Sequence, residues 1–363
     1  MVDRPGCYDL AMDSLSQIVL GGAVAAAIAP HGHRRAALLA GAALGTLPDL
    51  DSLPLALSGV DAVWRMTLHR GVSHSLFVLP LIGTVIWWLS KRYGQGRVAQ
   101  SPLRWWWAIV LALVTHPLLD AFTVYGTQVW WPLPVTPAVW SGVFIIDPLY
   151  TLPLLVGCMV AWWARQRPVA HKALLAGLLL STAYLGWSLL AKDLVEKRAR
   201  QDLATLGITD VRLMAAAQPF NTLLWRVIAV DAGGYLIADR SVWADRGPMR
   251  FTRHRSDSTA LTANAHLPAV QRLAWFNGGF QRARVVGDTL AVSDLRMGLE
   301  PDYTFSFAVA RRVDGQWQAI TPRQIRTDYR SPEARAEAKR RLGGLWQRIW
   351  TPAPVLPAPV VDQ

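Results

Sequence analysis

The chain has 363 residues, enough for two domains, and is 52% hydrophobic but only 17% charged, with 18 tryptophans. Its formal net charge is +12. Residues 191–363 carry most of the charge, but several Lys and Arg sit in short loops between apolar runs, where they orient helices, so the basic balance is not read as nucleic-acid binding. Two cysteines, Cys7 and Cys158, are too few for a disulfide framework.

Six apolar runs occupy the first half: 14–30, 36–57, 75–89, 105–125, 143–164 and 173–190. A membrane-crossing helix needs about 20 residues. The third run is short, and the second is interrupted by Pro48 and two aspartates. Acidic rather than basic residues precede the first run, so no cleavable signal peptide is expected. The loops alternate in charge. Arg34 and Arg35 lie in one, Lys91, Arg92, Arg97 and Arg104 in another, and Arg165, Arg167 and Lys172 in a third. By contrast 126–142 has no Lys or Arg, and 58–74 has only Arg65 and Arg70. The positive-inside rule puts the three richer loops in the cytoplasm and sends both termini outward. Paired tryptophans at the ends of the runs read as an interfacial belt.

Beyond about residue 211 the pattern becomes strand-like. TLLWRVIAV at 222–230 is followed by the turn signal DAGG and a second short run at 235–238. Further runs lie at 283–286, 289–293, 304–310 and 317–320. The stretch 331–350 reads as a basic helix, and the Pro-rich 351–363 as a disordered tail. The expected fold is an all-α polytopic membrane domain of about six helices, followed by a small β-rich or α+β soluble domain. The boundaries are 1–195 for the membrane domain, 196–330 for the strand-rich domain, and 331–363 for the basic helix and tail.

Five fragments carry ionisable groups into this apolar setting, where they default to function. Asp13 and Gln17, at i and i+4, open the first run. Asp49 and Asp51 end the second, and His69, Arg70 and His74 precede the third. His116 and Asp120 share a face of the fourth, and Asp147 precedes Pro148 at the start of the fifth. Alternating the six runs through a bilayer places every one of these at the same, outer face. Neutral imidazole with carboxylate suits zinc or another divalent ion. Each residue also has a plainer reading. Asp13 and Asp147 could be helix N-caps, Gln17 an inter-helix bond, and Asp49 and Asp51 loop solvation. His69 and His74 could be headgroup-level histidines. Ser73 and Ser75 read as caps, and Arg70 as a phosphate or carboxylate partner.

In this order, MDSLSQIVLGGAV, LPDLDSL, HRGVSHSLF, THPLLDAFTVYGTQ and IIDPLYTLPLL resemble the YdjM/YbcI-type family of membrane-bound metal-dependent hydrolases. The resemblance covers roughly residues 12–160. It implies a multi-helix membrane hydrolase using one or two divalent ions, presumed zinc. It carries the metal role to Asp49, Asp51, His69, His74, His116 and Asp120, with Asp13, Gln17 and Asp147 as supporting or further ligands. Gln17 stands where some relatives have His.

The expected function is a metal-dependent hydrolase of a lipid or lipid-linked substrate, a phosphoester above all, at the outer face of the inner membrane. Metal-activated water would attack, with Asp49 or Asp51 as general base and Arg70 holding an anionic group. The C-terminal domain would lie on the periplasmic side, and no nucleic acid is involved. The competing class is a non-catalytic metal-binding or ion-transport membrane protein; a third is a membrane scaffold for the C-terminal domain. Neither HExxH nor GxSxG occurs.

Overall fold

The computed structural model describes residues 14–94, 96–326 and 331–353. Two compact units divide the chain. The first takes in residues up to Gly59, Leu68–Trp140 and Ile145–Trp187; the second takes in Val60–Thr67, Ser141–Phe144 and Ser188 onward.

The helices of the first half, in chain order, are α1 (Ser14–Ile28), α2 (Arg34–Thr46), α3 (Ser52–Leu57), α4 (Ala62–Leu68), α5 (Val78–Tyr93), α6 (Arg97–Gln100), α7 (Pro102–Ala121), α8 (Pro148–Ala164) and α9 (Pro168–Thr205). Most of α4 and the later part of α9 belong to the second unit. Single turns of 3-10 helix at His31–His33, Pro48–Asp51 and Val72–His74 join neighbouring pieces. The core of the first unit is aliphatic and small, with Ala23, Ala26, Leu38, Leu79, Ile109, Leu113, Leu154 and Leu174 packed together. Glycines let the backbones touch. A Cβ on Gly41 would stand 2.2 Å from the Gly21 carbonyl oxygen, and one on Gly45 would stand 2.3 Å from that of Gln17. Close approach through small residues is how apolar helices associate where burial alone does not drive them. Proline starts α7 and α8 at N1, where its missing N–H is no loss.

The expectation of about six membrane-crossing helices is not met. Among the described residues only α9 is long and apolar enough by length and composition, at 38 residues and a mean hydropathy of 1.7. Ala62–His74 and Val78–Tyr93, bent by 56°, would make a second if they act as one span. The reason lies in the interruptions. The run at 36–57 breaks at Leu47–Pro48 into a 13-residue and a 6-residue helix. α1 has 15 residues and α8 has 17, both under the length of a usual span. α7 reaches 20 residues but includes Arg104, three tryptophans, His116 and Asp120. The sixth run, in turn, lies within a longer helix, because α9 continues to Thr205 through the charged stretch after 191.

The second unit is β-rich. β1 (Arg212–Ala217), β2 (Leu224–Asp231), β3 (Gly234–Ser241) and β4 (Thr252–Arg255) form an antiparallel sheet in that order. Helices α10 (Ser258–Ala263) and α11 (Pro268–Asn277) follow. The next strands are β5 (Gln281–Val286), β6 (Thr289–Asp294), β7 (Gly298–Leu299), β8 (Asp302–Tyr303), β9 (Ser306–Val313) and β10 (Gln316–Ile325). The second sheet runs β10-β9-β6-β5, and β7 pairs β8. The DAGG turn closes the β2–β3 hairpin with Asp231 opposite Gly234, whose φ of +147° favours glycine. Arg272 of α11 stacks between Trp64 and Trp275, each 4.4 Å from its guanidinium, and so carries α4 into this unit. The basic helix α12 (Pro332–Trp350) is capped by Ser331, whose hydroxyl accepts from Ala334 N. α12 belongs to the second unit, with Ile349 buried and Arg348 paired to Asp245. The tail from 354 lies outside the described residues.

Candidate metal centre

Four ligand atoms from three separate stretches of the first unit meet in one place. Asp49 comes from the Pro48–Asp51 turn, His74 from the end of the Val72–His74 turn, and His116 and Asp120 from one face of α7. His74 Nε2 lies 3.1 Å from His116 Nε2 and 3.4 Å from Asp49 Oδ1. Asp120 Oδ2 lies 3.1 Å from His74 Nε2 and 3.3 Å from His116 Nε2. His116 Nε2 is also 3.3 Å from Asp49 Oδ1. A regular tetrahedron with metal–donor bonds of about 2.0–2.1 Å has edges of about 3.3–3.4 Å. Five of the six donor–donor distances are thus close to those around a single four-coordinate divalent ion, and all four atoms lie within 4.8 Å of one another.

Hydrogen bonds at the back of each ring fix which nitrogen faces inward. His116 Nδ1 is 2.6 Å from the Gly45 carbonyl oxygen, an acceptor, so Nδ1 carries the proton and Nε2 presents a lone pair. The Ser73 hydroxyl donates to Asp51 Oδ2 at 2.5 Å, which leaves its oxygen to accept from His74 Nδ1 at 2.9 Å. His74 Nε2 is bare for the same reason. Asp49 Oδ1 and Asp120 Oδ2 are buried and accept no hydrogen bond among the described residues, although the Arg70 guanidinium pairs with Asp120 Oδ2 by charge. Two lone pairs and two carboxylate oxygens facing one another at these separations repel, and a divalent cation among them removes the repulsion. The donor set thus fits the divalent ion that the family resemblance implies. A proton on Nε2 would serve the same four atoms in its place, so cation binding competes with acid.

A supporting shell surrounds the four. Gln17 Nε2 donates to Asp120 Oδ1 at 2.7 Å and to the His116 carbonyl at 3.2 Å. The close α1–α2 crossing at Gly45 places both Gln17 and the carbonyl that holds His116. Arg70 is buried, with Nε 3.2 Å from Asp120 Oδ2, Nη1 donating to Thr123 Oγ1, and its guanidinium 5.0 Å from the Tyr125 ring centre. Its φ of +60° is rare for a side-chain-bearing residue, and its N–H and carbonyl are held by Asp51 Oδ2 and Gln128 N. Strain of this kind persists only where surrounding contacts over-determine it.

His69 and Asp51 stand outside the four-atom group. His69 Nδ1 is 2.7 Å from Asp51 Oδ1, and the His69 ring lies 6.0 Å from that of His74. Burial raises the carboxyl of Asp51, but the hydrogen bond from His69, helped by Ser73, outweighs it and holds the group below the usual carboxylate range. Asp147 is not in the group either. Its Oδ1 caps α8 by accepting from Leu149 N and Tyr150 N, and its Oδ2 accepts from Tyr184 at 2.8 Å. Asp13 lies outside the described residues. Two contributors were not foreseen. Ser73, read as a cap, is instead the link between Asp51 and His74, while Ser75 does cap α5. The Gly45 carbonyl was signalled by the Gly41-x-x-x-Gly45 spacing, which marks a close helix crossing.

Taken together, these features define a protein with a helical unit that gathers a compact His/Asp group able to hold a metal ion, and a separate β-rich unit. The chain belongs to the YdjM inner membrane protein family, which matches residues 12–195, just over half of its length. It is similar to inner membrane protein YbcI of Escherichia coli K12, at 36% identity over 100 residues, 27% of this chain and 53% of the relative. The chain thus spans about half the length of that curated relative. No solved structure matches it. Family and relative place the chain in the inner membrane.

Proposed function

We propose that this protein is a membrane-bound metal-dependent hydrolase acting on a lipid or lipid-linked phosphoester. The observation that carries the reading is the convergence of Asp49 Oδ1, His74 Nε2, His116 Nε2 and Asp120 Oδ2 at tetrahedral spacing. Imidazole with carboxylate suits zinc. When bound, such a cation supplies Lewis acidity, polarising the scissile group and acidifying water. The remaining work falls to the chain. Asp51, with both oxygens engaged, orients His69 and Ser73. His69, about 25% exposed, is the group able to accept and return a proton at Nε2. Arg70 balances the charge of Asp120. An inner-membrane location supports a lipid-borne substrate.

A second reading has its own observation. Four protein donors fill a tetrahedron, as in structural sites, whereas catalytic zinc keeps one position open. That favours a non-catalytic metal-binding or transport protein. Against it, Asp49 is about 18% exposed while its three partners are sealed, so water has a way in beside Asp49. Metal analysis of the purified chain against His74→Ala and His116→Ala tests the site: the wild type should carry one ion and the variants none. Hydrolysis of lipid phosphoesters, lost in His69→Gln with metal retained, would support the enzyme. Full metal with no turnover on any phosphoester would favour the second reading, and equal metal in all proteins would remove both.

A further inference from the structure

At the opposite end of α2 from Gly45 lies a second polar cluster that the metal centre does not use. Arg34, the first residue of α2, is about 1% exposed. Its Nη1 donates to the Arg165 carbonyl, but Nε and Nη2 are buried without a partner. His171, in the first turn of α9, has a buried Nδ1 that is likewise unpartnered. The His31 ring lies 5.6 Å from that of His171. Neighbouring groups are satisfied, which sets these donors apart. Arg35 Nε donates to the Trp162 carbonyl, and His33 is held by Gln100 and Trp105.

The open guanidinium edge of Arg34 and, when Nδ1 carries the proton, the imidazole of His171 each match the oxygens of a tetrahedral oxyanion, which an arginine fork binds in two-point fashion. Arg34 and His171 also stand in the first turns of a 13-residue and a 38-residue helix, whose positive ends favour an anion. Among the described residues no carboxylate pairs with Arg34. The distance along α2 from Arg34 to Gly45, roughly 16 Å at about 1.5 Å per residue, separates this cluster from the metal ligands. We propose that Arg34 and His171, with His31 at the rim, bind the phosphoryl group of a phosphate ester or of free phosphate. An anionic phospholipid headgroup and a soluble phosphate share that chemistry.

The test uses full-length protein, delipidated in detergent and treated with chelator so that phosphate has no metal to bind. Thermal unfolding and equilibrium binding are measured with inorganic phosphate, and with nanodiscs of phosphatidylglycerol against phosphatidylcholine. The variants are Arg34→Gln and His171→Gln, each checked for wild-type metal uptake as evidence of folding. Binding at least tenfold weaker in the variants is expected. Response to phosphate and to phosphatidylglycerol identifies the phosphoryl group itself as the ligand. Response to phosphatidylglycerol alone identifies the headgroup in its bilayer, and response to phosphate alone a soluble ester. If neither probe stabilises the wild type, or if His171→Gln binds both as the wild type does, the proposal fails.

Discussion

Replacing Ser73 with alanine removes one hydroxyl that touches none of the four converging ligand atoms, yet it should weaken metal binding. In the wild type, the Ser73 oxygen receives the Nδ1 proton of His74, and its own proton goes to Asp51. Without the hydroxyl, a metal-bound His74 must keep Nδ1–H in a fully buried position with no acceptor. An unsatisfied buried donor costs about 1–3 kcal/mol. The metal-free protein escapes that cost by moving the proton to Nε2, so the whole penalty falls on the bound state. Affinity should drop about 5- to 150-fold, which brackets the 10- to 100-fold typical of losing a group behind a metal-bound histidine. Asp51 keeps its bonds to His69 and the Arg70 N–H, so the fold should hold. A competition titration with a chromophoric zinc chelator near neutral pH reads the effect, with Ser73→Thr as the restoring control. Ser73→Ala binding within twofold of the wild type, while His74→Ala binds nothing, would refute the tautomer argument.

Gly45→Ala forces a Cβ to within 2.3 Å of the Gln17 carbonyl oxygen, a backbone atom that yields only if α1 and α2 separate. A stability loss of about 1–3 kcal/mol is expected from such overpacking, together with weaker metal binding, measured by thermal unfolding and the same chelator titration. Gln17→Leu removes the donor that holds Asp120 Oδ1 and should lower zinc affinity about 10- to 100-fold with little change in fold, as read by circular dichroism. In the second unit, burial raises the carboxyl of Asp245, but Arg348 and the N–H groups of Ala353 and Ser241 outweigh it and leave it low. A carboxyl depressed in the folded state stabilises above its unfolded value, and that contribution is lost as pH falls through the folded value. Asp245→Asn should therefore unfold at lower temperature than the wild type near neutral pH, and the gap should close below about pH 4. A gap that stays constant from pH 7 to pH 3 would remove the carboxylate from the explanation.

Much of this protein could be read along the chain. His116 and Asp120 share a face because a helix repeats every 3.6 residues, a rule that needs no partner. Asp147 before Pro148 is a helix start by local chemistry, and the β2–β3 turn follows from Asp-Ala-Gly-Gly. The order of the five fragments was enough to indicate the family. Distance along the chain, however, hides who meets whom. Gly21, Gly41 and Gly45 let α1 and α2 close on each other, and the Gly45 carbonyl exposed there holds His116 of α7 beside Asp49 and His74. His69 and His74 look equivalent in HRGVSHS, and only the folded chain turns one ring toward Asp51 and the other toward His116. The count of membrane-crossing helices failed for a related reason. Apolarity measures what avoids water, and it does not distinguish lipid from the interior of a packed helical unit. Local rules act within a few residues, whereas a metal site and a helix's surroundings are set by atoms that approach only after the chain has packed.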